Sequence, residues 1–101
     1  MNVLLVIKDK LEIRTTRGNL VNTIWITAIS YADYNFDQTL ILITTKDGKV
    51  EIRNNQGNLL KNVYKDSKIS SAKWAGEDIL IYYNNSKVEL RSQNGGLIRS
   101  F

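Results

Sequence analysis

The sequence predicts an all-β fold of antiparallel strand repeats. Three observations carry that reading: the composition, a segment that recurs three times, and a period-two alternation inside it. Of 101 residues, 34 are Ile, Val, Thr, Tyr, Phe or Trp and four are Ala, the bias of chains that build pleated, half-buried surfaces. Hydrophobic residues make up 43% and charged residues 24%, which suits a folded domain and argues against disorder. His, Cys and Pro are absent. Their absence removes thiolate zinc sites, disulfides, Cys nucleophiles and imidazole bases.

The recurring segment reads LEIRTTRGNLV at 11–21, VEIRNNQGNLL at 50–60 and VELRSQNGGLI at 88–98. Its spacing is 39 and then 38 residues. Glu12, Glu51 and Glu89 align, as do Arg14, Arg53 and Arg91, and Gly18, Gly57 and Gly95. A period of this size marks a supersecondary unit that buries its faces against its neighbours.

Within each copy the elements follow in order. The apolar runs Val3–Ile7, Leu40–Ile43 and Ile79–Tyr83 lack alternation, as expected of a central strand covered on both faces. A hairpin turn follows, clearest at Asp47-Gly48. Next comes an alternating strand such as Val50-Glu51-Ile52-Arg53, with apolar and charged side chains on opposite faces. The Gly57-type turn and a third strand, Asn58–Tyr64 in the second copy, complete the triplet. A fourth strand joins the copies, with Ile26–Ala32 aligned to Ile69–Ala75. The expectation is eleven strands and no helix, as one domain over 1–101 with copies at 3–25, 26–64 and 69–101.

Four-stranded units near 40 residues resemble the blades of a β-propeller, and the segment Asp47-Gly48-Lys49-Val50-Glu51-Ile52-Arg53-Asn54 is similar to the late-blade motif of tryptophan–aspartate repeat propellers. Arg53 and Asn54 stand where that family has Trp and Asp, and its Gly-His pair is missing. The resemblance implies propeller-like architecture with 2.75 blades per chain. Propellers close with about four blades or more, so it also implies completion by oligomerisation. A homodimer of six blades is expected first, a larger ring or a larger protein assembly second. Leaving ~400 Å² of apolar blade face in water would forfeit about 10 kcal/mol, as much as a small domain's whole stability. The alternative architecture is a monomeric β-sandwich or barrel.

Candidate functional residues are few. The repeated Glu and Arg residues, two apart on one strand, point to one face, where rows from adjacent strands or blades are expected to pair structurally. Acids flanked by Arg stay ionised and make poor general acids. No metal or cofactor is expected, because the acidic residues lack calcium-loop spacing. Tyr31, Tyr34 and Phe36 lie in a segment longer than its counterpart after Trp74 and are the candidate contact loop. Lys61, Lys65, Lys68 and Lys73 hold most of the net charge of +4 and form a candidate basic patch. Nucleic acid is the lesser expectation for it, since scattered lysines also serve solubility and protect sheet edges. The apolar run Val3–Ile7 is too short for a signal peptide core, and nothing approaches a spanning helix. A cytoplasmic protein, or a component of a larger particle, is expected. The function read from these features is a non-enzymatic structural or interaction subunit that self-assembles through its repeat faces. The alternative is a small lectin-like or nucleic-acid-binding module using loops at one end of the blades.

Overall fold

Alternation and turn chemistry divide the chain into eleven strands: β1 (Asn2–Ile7), β2 (Lys10–Thr15), β3 (Leu20–Trp25), β4 (Ile29–Tyr34), β5 (Ile41–Thr45), β6 (Lys49–Arg53), β7 (Leu59–Lys65), β8 (Ile69–Ala75), β9 (Asp78–Tyr83), β10 (Val88–Arg91) and β11 (Leu97–Ser100). The computed structural model describes residues 1–101. The strands form three antiparallel meanders, β1-β2-β3, β4-β5-β6-β7 and β8-β9-β10-β11. There is no helix, and so none long and apolar enough to cross a membrane.

The sheets stack in series. Leu11, Ile13 and Ile24 of the first sheet pack on Ile29, Ile41 and Ile43 of the second. Leu42, Val50, Ile52 and Val63 of the second pack on Ile69, Ala72, Ile79, Ile81 and Tyr83 of the third. All five residues of β5 are therefore buried, as its unbroken apolar run requires. The alternative of a sandwich or rolled barrel does not form: the middle sheet is covered on both faces, and no sheet closes on itself.

Strands β4 and β8 lie against each other, and β1 lies against β4, so the sheets approach most closely along this edge. There the Trp74 amide donates to Asp33 Oδ2 at 3.0 Å and the Trp74 indole donates to the Asp33 carbonyl at 3.2 Å. These bonds tie the second and third sheets at their shared edge.

The linking strand differs from expectation. Ala28 takes a positive φ of 59° and its carbonyl accepts from the Lys46 amide, so Ile26–Ala28 form a connection before β4 starts at Ile29. Register then matches Ile29 to Ile69 and Tyr34 to Trp74, three residues from the alignment that sequence similarity suggests. Strand β7 has one residue more than β3, absorbed as a bulge opposite Val50 and Glu51. The connection after Trp74 is two residues shorter than that after Tyr34. One residue gained and two lost change the repeat spacing from 39 to 38.

Candidate interaction faces

Each sheet has two chemically distinct faces, because alternation sends the Glu–Arg row of its middle strand one way and the Leu, Val or Ile positions the other. We call the side carrying Glu and Arg the rear and the other the front. Within the chain, the front of one sheet twice meets the rear of the next.

The rear face repeats closely. In all three sheets an Arg Nε donates to the Glu Oε1 two residues earlier, at 2.9, 2.9 and 3.0 Å. The Arg Nη1 donates to the carbonyl of Gly18, Gly57 or Gly95, each at 2.7 Å. A Lys Nζ approaches the second carboxylate oxygen at 3.2–3.3 Å. One guanidinium thus neutralises a carboxylate and also ties off the turn after its own strand, which lets Glu51 and Glu89 lie buried between sheets without unpaired charge. Burial works against ionisation of Glu89, but donors from Tyr83, Arg91 and Lys87 outweigh it and hold the carboxyl below its usual range. The same burial and the adjacent carboxylate push the Tyr83 hydroxyl up. Glu12 is also held low, first by the Arg14 hydrogen bond and then by Lys10. This arrangement is an electrostatic clamp in which each carboxylate is paired by an Arg of its own strand.

Cross-sheet packing distinguishes the first copy from the other two. The Arg91 guanidinium stacks 3.7 Å over the ring of Tyr64, on the outer strand of the preceding sheet. A side chain at Gly57 would press on Ile24 of the first sheet, and one at Gly95 would collide with the Val63 carbonyl of the second. Gly18 has the same left-handed backbone, φ 92° against 89°, but faces open space.

Register makes the strand correspondences explicit. Val3 and Leu5 stand opposite Arg14 and Glu12, as Ile41 and Ile43 stand opposite Arg53 and Glu51, and as Ile79 and Ile81 stand opposite Arg91 and Glu89. Ile41, Ile43, Ile79 and Ile81 are fully buried, whereas Val3 and Leu5 are 39% and 40% exposed. At the other end of the stack, Leu80, Val88 and Leu90 occupy the front positions of Leu42, Val50 and Ile52. They are only partly buried.

The expected contact loop is divided by the structure. Tyr31 and Tyr34 belong to β4, and only Phe36 lies in the connection. The Tyr34 hydroxyl donates to Asn55 Oδ1 at 2.5 Å, and Tyr31 is exposed beside the edge of the third sheet. Gln38 exchanges two 2.9 Å hydrogen bonds with the backbone of Asn2, so the connection caps the open edge of β1. Phe36 is left fully exposed, at the mouth of a cavity of about 470 Å³ shared with Asp37, Trp74, Glu77 and Gln93. A hydrogen bond donated by the Thr39 hydroxyl holds the Asp37 carboxyl low.

The four lysines do not share a face. Lys61 lies opposite Ile52 on the front of the second sheet and reaches Asn94. Lys65 lies opposite Lys49, on the rear side, and approaches Asp47 at 3.7 Å. Lys68 is in the connection before β8, and Lys73 stands over the Tyr82 ring on the front of the third sheet. Strand alternation separates what proximity in sequence suggested. Sequence reasoning missed Asp33 and Trp74 as a cross-sheet clasp, since nothing in their spacing signals it.

No known family model matches the chain, and no curated protein matches it in sequence. Its architecture is similar to that of solved structures. The computationally designed Ika8 protein superposes with a TM-score of 0.63 at 15% identity, over 97% of this chain and 35% of that one. BamB from Moraxella catarrhalis, a β-propeller, superposes with a TM-score of 0.62 at 11% identity, over 98% of this chain and 34% of BamB. The chain spans about a third of the length of each. The likeness establishes a propeller-like fold.

Proposed function

We propose that this chain is a non-catalytic interaction module that assembles with further copies of itself through the two end faces of its stack. The supporting observation is the exposure of Val3 and Leu5 at positions where the other two sheets are fully buried. Side chains that serve elsewhere in the molecule as a packed interface are left in water at the rear of the first sheet. Covering them returns about 25 cal/mol for each Å² of apolar surface. The clamped Glu–Arg rows add no reactive group, which supports a binding role over a catalytic one. Light scattering on a sizing column tests the proposal. The expected mass is at least twice the 11.6 kDa of one chain, and a monomer at high micromolar concentration would overturn it.

A second reading, a lectin-like module, is favoured by one feature. Exposed Phe36 and half-buried Trp74 border a cavity with Asp37 and Glu77, and aromatic rings beside hydrogen-bonding groups suit a sugar face. Titration of mono- and oligosaccharides against Trp fluorescence tests it, with saturable quenching in wild type and loss in Phe36→Ala expected.

A further inference from the structure

We infer that copies join head to tail: the front of the third sheet in one copy packs on the rear of the first sheet in the next. This rests on the self-assembly reading and adds its polarity and its contact residues. The chain contains two sheet–sheet interfaces, and both are front on rear. The exposed ends are one front, with Leu80, Tyr82, Val88 and Leu90, and one rear, with Val3, Leu5 and Ile7 beside Lys10, Glu12 and Arg14. They are the two halves of the interface already formed twice inside the molecule.

The charged row favours this polarity. Arg14 is bound to Glu12 and to the Gly18 carbonyl of its own sheet, as Arg53 and Arg91 are bound to their own Glu and Gly where they lie between sheets. An apolar front can therefore cover the row without leaving a charge unpaired. A rear-on-rear dimer would set Lys10, Glu12 and Arg14 against the same row of a second copy, with no precedent in the molecule. The open space at Gly18 agrees with the head-to-tail arrangement. Gly57 and Gly95 each abut the outer strand of the preceding sheet, and a neighbour's β11 would fill that place at Gly18.

Two blocking variants separate the polarities. Leu5→Lys obstructs the rear and Leu80→Lys the front, with circular dichroism confirming that each folds. An unpaired buried charge should weaken assembly at least about a hundredfold, so each variant alone should be monomeric by light scattering. An equimolar mixture should form a one-to-one pair and nothing larger, because one unblocked front meets one unblocked rear. Full assembly of Leu80→Lys alone, or no pairing in the mixture, would overturn the inference. Wild-type protein that is itself monomeric would instead defeat the self-assembly reading. Should a Lys variant unfold, single-cysteine chains serve, since the sequence has no other cysteine. With a short bis-maleimide, Leu5→Cys mixed with Leu80→Cys should link, and neither should link to itself. Self-linking of Leu5→Cys without mixed linking would show the opposite polarity.

Discussion

At the residue scale, positions equivalent in sequence carry different loads. Gly18 and Gly95 share a left-handed backbone, so an Ala at either pays the same conformational penalty of about 1 kcal/mol. Gly95 alone abuts the Val63 carbonyl. Gly95→Ala should therefore lower stability by about 1–3 kcal/mol more than Gly18→Ala, as read by urea denaturation in dilute solution. Equal effects would show that the turn, and not the contact with the neighbouring sheet, determines the glycine. The Glu89 clamp predicts a pH dependence. Its carboxyl has a lower pKa folded than unfolded, so its stabilisation is fully present above the ordinary value of 4.5 and is lost as pH falls through the folded value. Glu89→Gln should melt at a lower temperature at pH 7 and show a flatter decline in stability below pH 4.5.

Among the elements, the central strands rank by the number of faces covered. Ile43→Ala on β5 removes a fully buried side chain between two sheets and should cost about 2–5 kcal/mol. Leu5→Ala, at the corresponding place on β1, should cost under about 1 kcal/mol in dilute monomer, and more where copies pack on this face as proposed. Trp74→Phe keeps an aromatic ring but loses part of the indole's packing and its bond to Asp33, a change of about 1–2 kcal/mol. Thermal melts of the three variants check the order. The strands themselves were legible in the sequence, since apolar runs, alternation and Gly turns are local signals. The start of β4 was not. Ile26 is as hydrophobic as Ile29, and only the positive φ of Ala28 and its bond to Lys46 decide that the strand begins three residues later.

Across the whole molecule, front-on-rear contact is directional, and directional contacts close into rings or run on as filaments. The sheets converge along the β4 and β8 edge, so successive sheets fan about that edge. A wedge of this kind favours closure. Under the head-to-tail proposal, assembly should accordingly reach a fixed mass that stays constant as concentration rises tenfold above the association threshold. A mass that climbs continuously would indicate an open filament.

Composition and repeat by themselves determined the strand class, the number of strands and the turn glycines. All of these depend on contacts within a few residues or across one hairpin, where alternation and turn chemistry act directly. Only the tertiary structure decided which faces meet. It placed Asp33 under Trp74, spread the four lysines over different surfaces, and took Tyr31 and Tyr34 out of the loop that leaves Phe36 exposed. The physical reason is that a period of two assigns a residue to one of two faces but says nothing of what covers that face. Packing between sheets makes that choice, and it left Val3 and Leu5 in water where their counterparts are buried.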